Sequence, residues 1–327
     1  MRLFYCHLGL MFVFFPTSVR ADDISHLFPD DTEFAWSIDI KAIMASPVGK
    51  AAIGKDTPSE LARKLWRWTG LDAFDRYPWF SDFRFTPFPD KVMNKLDRVT
   101  YAGPNSAVLG LPPGTYFLEG DVDENEIAKY WKAECPDGFW QDKIGDRILL
   151  LLRYNEARSE RRWYGIRLSD SLYLITTDFD PLKTKGILKV VMDKHAGKRR
   201  AVLQPAMADW LDKGKPDVSN WVCHFPSEEK IFLFPTLARA TATISLKKDL
   251  EIRIEGTFQE EAQAKEMEEL ADKVAGKLAD KAAWTRKELE MRILTETGFE
   301  TKRDGKLMVL TCKIPMKVLA EEYTKQK

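Results

Sequence analysis

One phrase occurs twice in this chain, and each copy leads from strand periodicity directly into helix periodicity. Glu119 opens "EGDVDENEIAKYW", and Glu255, 136 positions later, opens "EGTFQEEAQAKEMEEL". The two align without gaps as E-G-x-apolar-x-E-x-x-x-A-K. Ahead of them, Gly114–Gly120 and Leu250–Gly256 alternate or run apolar, as half-buried strands do. After each Gly comes an apolar residue, Val122 or Phe258, and then acids that suit the positive end of a helix dipole. Asp123 with Glu126 reads as a capping box. In the second copy Met267, Leu270, Ala271, Val274 and Leu278 recur at three- and four-residue spacing along one helix face.

The flanks repeat as well. "SDSLYLITTDFDPLKTKGIL" (Ser169–Leu188) matches "DGKLMVLTCKIPMKVLAEEY" (Asp304–Tyr323): a tight turn, a strand, then a helix started near Pro. The Asp304-Gly305 pair is a hairpin signal. Ahead of each unit lies another strand, Glu33–Ile40 and Asn220–Phe225. The expected fold is therefore α+β, with two related halves at residues 22–201 and 202–327. Each half is expected to be a mostly antiparallel sheet with helices packed on one face.

The N-terminus carries a different signal. Arg2 precedes an apolar run from Leu3 to Phe15, then Pro16, then small residues Val19 and Ala21. That is the layout of a secretory signal peptide spanning residues 1–21. The run is short of the roughly 20 residues a bilayer span requires, and no later segment is long and apolar enough to be one. The expectation is cleavage after Ala21, no transmembrane segment thereafter, and a periplasmic or extracellular location. The whole chain balances 50 basic against 50 acidic residues; loss of Arg2 and Arg20 leaves 48 against 50. So even a balance gives no case for nucleic acid, which demands a basic face. The mature chain keeps Cys135, Cys223 and Cys312. Three cysteines do not make a disulfide framework, and Cys223 with Cys312 is the better candidate for a single pair.

Leu27–Lys50, "LFPDDTEFAWSIDIKAIMASPVGK", resembles the opening of a family of uncharacterised secreted proteins of planctomycete-type bacteria. Those begin with a Pro–Asp/Ala–Asp–Thr phrase, a strand ending in aspartate, and a Ser-Pro-Leu/Val-Gly-Lys helix start. "TGLDAFDRYP" (Thr69–Pro78) and "LDRVTYAGP" (Leu96–Pro104) are similar to a later family pattern, with a Pro- and aromatic-rich stretch between them here. The resemblance covers most of the mature chain through short phrases. It implies an exported two-unit α+β protein and brings no activity and no functional residues.

Catalytic constellations are absent from the sequence. The histidines after residue 21 are His26, His195 and His224. His195 sits in "DKHAGKRR", which reads as a basic exposed loop, and His224 adjoins Cys223 on a strand whose neighbours face opposite ways. No paired His-Glu-His spacing and no paired C-x-x-C suggests a metal site, and none is expected. No G-x-S-x-G elbow or Gly-rich phosphate loop occurs. "DVDEN" (Asp121–Asn125) starts like a calcium loop, but Glu126 stands where a Gly is needed and Lys132 where a bidentate Glu is needed, so helix capping is the better reading. No catalytic residue and no cofactor is expected. The clusters Arg158–Arg162 and Lys198–Arg200 read as solvated loops.

Residues 65–90 form an aromatic-rich insertion in the first half, holding Trp66, Trp68, Phe74, Tyr77, Trp79, Phe80, Phe83, Phe85 and Phe88. Aromatics beside Asp and Arg suit binding of a sugar or a protein, because flat rings bury much area at low entropic cost. The commoner arrangement is a loop folded over the sheet as a cover, because aromatics normally pack inside. Trp66, Tyr77, Trp79 and Phe80 are the candidate binding residues. Trp68, three beyond Leu65, is expected inside and Trp66 outside. The expected role is an exported, non-enzymatic cell-envelope binding or assembly module whose partner is another envelope protein or a glycan. The alternative is a glycan-acting hydrolase using a carboxylate pair such as Asp72, Asp75 or Asp82.

Overall fold

The computed structural model describes residues 24–58, 60–61, 88–104, 114–156, 159–178, 181–200, 219–224, 237–246, 249–282 and 298–325. These fall into two compact units. One draws on Arg20–Lys41 and Asp75–Gly214, the other on Ala42–Phe74 and Lys215–Lys327. The expected boundary near residue 201 lies outside the described residues. Within the N-terminal half, Ala42–Phe74 groups with the C-terminal unit.

The first unit contains β1 (Phe34–Asp39), β2 (Leu96–Gly103), β3 (Gly114–Gly120), β4 (Phe139–Ile144), β5 (Arg147–Glu156), β6 (Ser159–Ser169) and β7 (Leu172–Asp178). They pair antiparallel in the order β1-β2-β3-β7-β6-β5-β4. Its helices include α3 (Asp90–Met93), α4 (Glu124–Glu134) and α5 (Pro181–His195). The second unit contains β8 (Ser219–His224), β9 (Leu237–Leu246), β10 (Asp249–Phe258), β11 (Gly298–Asp304) and β12 (Leu307–Pro315), in the order β8-β9-β10-β12-β11. Its helices include α2 (Pro47–Ala52), α6 (Glu261–Ala282) and α7 (Met316–Lys325). A helix α1 (Ile40–Ala45) follows β1 directly. The fold class is α+β, as expected.

Both copies of the repeated phrase run from strand to helix, β3 into α4 and β10 into α6. Val122 and Phe258 are buried at corresponding places, as are Ala128 and Ala264. Asp123 caps α4 by accepting from the Asn125 and Glu126 amides at 3.0 and 3.4 Å. That bond satisfies donors which the first helical turn leaves unpaired. The two glycines differ. Gly120 ends β3 with φ +130, and a Cβ there would lie 2.7 Å from the Asp97 amide nitrogen. Gly256 sits inside β10, which continues to Phe258.

The family-like phrase at Ser46–Lys50 is a helix start. Ser46 accepts from the Gly49 amide at 3.1 Å while donating to the Ile43 carbonyl at 2.6 Å, and Pro47 holds the first helical position. Pro suits that position because its missing N–H has no partner there in any case. A Cβ on Gly49 would fall 2.1 Å from the Ile43 oxygen, so only glycine lets α2 fold back on α1 this closely.

The sequence places helices on one face of each sheet; in the first unit both faces are covered instead. Every residue of β3 from Gly114 to Leu118 is buried, and so is Leu172–Thr177 of β7. Phe117 pairs with Leu174 and Leu118 with Tyr173, so these neighbours define opposite faces. On the Tyr173 face, Trp131 of α4 comes within 3.2 Å of where a Cβ on Gly165 would stand. On the Phe117 face lies Phe28, its ring 5.7 Å from that of Phe117. Continuous apolar runs such as Leu149–Leu152 are what such double burial requires. In the second unit β10 alternates. Leu250, Ile252 and Ile254 are buried, while Glu251, Arg253 and Glu255 keep contact with solvent. The α6 side of that sheet is marked by Arg303, held by Glu261 at 2.8 Å and Glu268 at 3.0 Å, and by Thr301, which donates to Asp272 at 2.6 Å. Ala264 is buried and Met267, Leu270 and Ala271 are half-buried along α6; the side chains of Val274 and Leu278 lie outside the described residues.

Candidate functional site

The candidate binding residues Trp66, Tyr77, Trp79 and Phe80 lie outside the described residues, as do Trp68 and the carboxylates Asp72, Asp75 and Asp82. The described residues bring together three other groupings.

At one end of the first sheet, Asp39, Arg98 and Glu119 stand opposite one another on β1, β2 and β3. Arg98 reaches Asp39 at 3.8 Å and Glu119 at 3.4 Å. One guanidinium thus lies between the buried Asp39 and the half-buried Glu119 carboxylates and neutralises both, a cross-strand stabilising device. Arg98 fills the gap a substrate would need between a catalytic acid pair. A shallow cleft of about 360 Å³ opens beside Lys91, Asn94, Lys95, Asp123 and Glu126. Its acids are committed: Asp123 caps α4, and Glu126 pairs with Lys129 at 3.0 Å.

The second grouping joins Glu124, Arg167 and Tyr173. Arg167 lies 3.9 Å from Glu124 and donates to the carbonyls of Val122 and Asp170. Glu124 Oε1 and the Tyr173 hydroxyl are both buried without a hydrogen-bond partner. Burial pushes the Glu124 carboxyl above its ordinary value against the opposing charge of Arg167. Burial, and then the Glu124 charge, pushes the Tyr173 hydroxyl well up. Gly165 leaves room for that hydroxyl, since a Cβ there would stand 2.6 Å from it. With Trp131 closing the same space, the group seals a core and holds no substrate.

The third grouping is a surface. The hairpin β4–β5 turns at Gly145, φ +64, and exposes Trp140 at 41%, Ile144 at 37% and Ile148 at 42%. Trp140 and Ile144, four apart, share a face, because residues an even number apart on a strand do, and Ile148, which pairs with Lys143, lies on the other face. β4 is the outer strand of its sheet and pairs only with β5 among the described residues. Sequence reading missed this hairpin, although "KIGDRILLLL" places a Gly-Asp turn before an apolar run. It also read Arg158–Arg162 as a loop, whereas Arg161 and Arg162 sit on β6, paired with Tyr154 and Arg153. Charged residues ride on β5 and β6 here because the pair extends past the end of β4.

The cysteine pairing does not form. Cys312 is a free thiol, as is Cys135. Cys312 lies on β12, and β10 and β9 intervene before β8 and Cys223. Three strand spacings of about 4.8 Å exceed the roughly 7 Å that a disulfide tolerates between Cα atoms. Burial pushes the Cys312 thiol up to about 12, which leaves it without nucleophilic thiolate at neutral pH. His195 is the last residue of α5 and is half-buried, where the sequence suggests an exposed loop. Among the described residues no three His, Cys, Asp or Glu side chains gather as metal ligands, and no helix is long and apolar enough to cross a membrane. No family model, no curated protein and no solved structure matches this chain.

Proposed function

We propose that the chain is an exported envelope protein built from two related α+β halves, which binds a protein partner and performs no chemistry of its own. The observation carrying this reading is the outer strand β4, whose Trp140 and Ile144 are exposed on one face beside an edge that pairs with no strand among the described residues; Ile148 of β5 is exposed on the other face. Such an edge offers backbone donors and acceptors to an extended segment, and exposed aromatic and aliphatic side chains supply area and selectivity. Export is supported by the tripartite layout of residues 1–21 and by the resemblance to the planctomycete-type secreted family. Duplication is supported by the matched pairing orders β1-β2-β3-β7-β6 and β8-β9-β10-β12-β11, with a helix after the third strand of each. Among the described residues the hairpin β4–β5 has no counterpart in the second half, and the binding edge belongs to that hairpin.

The test places a photo-crosslinking residue at Trp140, Ile144 or Ile148 in the native host, with the exposed Lys185 as control. A discrete adduct at the hairpin positions, on protein whose intact mass begins at Asp22, is the expected result. Labelling no stronger than at Lys185 removes the binding edge. A mass that includes Met1 removes cleavage and makes the N-terminus an anchor.

A further inference from the structure

Each residue of β4 turns its backbone amide and carbonyl either toward β5 or away from the sheet, and the hairpin turn decides which. Gly145 and Asp146 form a two-residue turn closed by the Ile144–Arg147 pair, with Gly145 at φ +64. Such a turn closes on a hydrogen-bonded pair, after which bonded and non-bonded pairs alternate along the ladder. Trp140, Asp142 and Ile144 therefore bond to β5, while Phe139, Gln141 and Lys143 direct their amides and carbonyls outward. The Lys143 amide agrees with this, because it donates to the Asp142 carboxylate at 2.8 Å. No described strand takes up the outward groups of Phe139 and Gln141.

An antiparallel partner meets outward groups with outward groups, so a strand that pairs with its own copy is centred on a residue, never between two. Centring on Gln141 sets each Phe139 opposite the other copy's Lys143, each Trp140 opposite the other Asp142, and the two Gln141 opposite each other. No like charges then face one another, and each Lys143 ammonium lies across from an aromatic ring. Centring on Asp142 or on Lys143 sets like charges face to face. Centring on Trp140 runs the pairing into a 3-10 turn (Pro136–Gly138), where the strand has not yet begun. The two-fold axis of the Gln141-centred pair is normal to the sheet, so both copies turn the same face the same way. Each Trp140 is then diagonal to the other copy's Trp140 and Ile144, within reach of an aromatic side chain. The strand carries one acid and one base, so no net charge keeps two copies apart. By contrast β11, the outer strand of the second unit, exposes Glu300, Lys302 and Asp304 along one face, the charged kind of edge that resists pairing.

Resting on the reading of β4 as a binding edge, we propose that its occupant is a second copy of this chain, joined antiparallel through β4 about Gln141. Such an isologous contact uses every interaction twice. Outward bonds form at Phe139, Gln141 and Lys143, where the Lys143 amide exchanges the Asp142 carboxylate for the second copy's Phe139 carbonyl. The released carboxylate stands across from the second copy's Trp140, whose indole N–H is a donor. The Trp140 and Ile144 side chains of both copies leave water together, over one sheet continued through the pair.

The experiment measures the mass of the chain purified from its native host by sedimentation over a dilution series, for wild type and three variants. The expected wild-type result is a dimer that dissociates on dilution. Gln141→Pro removes an outward N–H that β5 does not use, so it is expected to leave a monomer at the same concentrations with Tm unchanged. Trp140→Glu, at an exposed position, keeps every backbone group and sets like charges opposite at Asp142; association is expected to weaken at least about tenfold. Trp140→Lys faces the same Asp142 with the opposite charge and is expected to weaken association less. A photo-crosslinking residue at Ile144 is expected to give an adduct of twice the chain mass. A monomer at every dilution, with a crosslink to a different protein, overturns self-pairing and leaves the binding edge standing. A monomer with no adduct overturns both. A dimer that neither Gln141→Pro nor Trp140→Glu weakens belongs to another surface, and it too overturns the proposal.

Discussion

Strands β3 and β10 hold corresponding places in their sheets, each third in the pairing order and each followed by a helix, yet water meets them differently. β3 is buried on both faces from Gly114 to Leu118, whereas β10 buries Leu250, Ile252 and Ile254 and presents Glu251, Arg253 and Glu255. The difference is not in the strand's place but in what is stacked on it. The first unit adds Phe28 over one face and Trp131 over the other, and it widens the sheet with β4 and β5. A repeated topology therefore fixes pairing without fixing burial, and side chains follow the covering elements. The polar row on β10 reflects this, with Glu251 and Lys313 paired across strands at 3.3 Å and Arg253 beside Glu255 at 2.8 Å.

Four measurements press on that contrast. Trp131→Ala removes a fully buried ring from the doubly covered sheet and is expected to cost about 3–5 kcal/mol in urea unfolding; a loss under about 1 kcal/mol would mean that α4 is not part of the core. Gly165→Ala comes next. Its new Cβ meets the Tyr173 hydroxyl at 2.6 Å and Trp131 at 3.2 Å, so the overpacking cost is about 1–3 kcal/mol. Unaltered stability there would show the Tyr173 face to be loosely filled.

The third concerns acid. Burial alone pushes the Asp30 carboxyl up, but the hydrogen bond and charge of Lys194 and the charge of Arg199 outweigh it and leave the group below its ordinary value. A depressed carboxylate stabilises the fold fully above the unfolded-state value of about 3.9, and that contribution is lost as pH falls through the folded-state value. Wild type is thus expected to lose more Tm than Lys194→Met between pH 6 and pH 3, and parallel curves would dismiss the pair. The smallest effect belongs to the second unit: Arg253→Ala, on the solvated row of β10, should change stability by no more than about 0.5 kcal/mol. A loss of several kcal/mol would show that row to be covered after all.

Much of the architecture could be read from particular residues. Asp304-Gly305 marks the β11–β12 hairpin, and Gly305 has φ +55 as that turn requires. Asp123 caps α4, and Ser46-Pro47 starts α2. These are local signals, satisfied within a few residues of chain. The failures lie where distant chain decides. Leu149–Leu152 gives no hint of which elements cover its two faces, and no spacing rule tells that Cys223 and Cys312 stand on strands three apart. The aromatic candidates remain a sequence reading alone, while the exposed hairpin was hidden because its apolar residues looked like ordinary strand interior.

The grouping of α2 with the C-terminal unit has a consequence for the order of folding. α2 packs against α7, and roughly 270 residues separate them along the chain. Val48 and Ala52 of α2 and Val318 and Leu319 of α7 are all buried, so the burial of α2 awaits synthesis of a segment far along the chain. A contact of such sequence separation demands that a very long loop close before it returns any stabilisation, which slows folding. During that interval the apolar side of α2 is without its partner, so a chain truncated before Met316 should expose it to chaperones. Dissecting the protein at a single cut between its two sequence halves would likewise leave α2 on the wrong fragment.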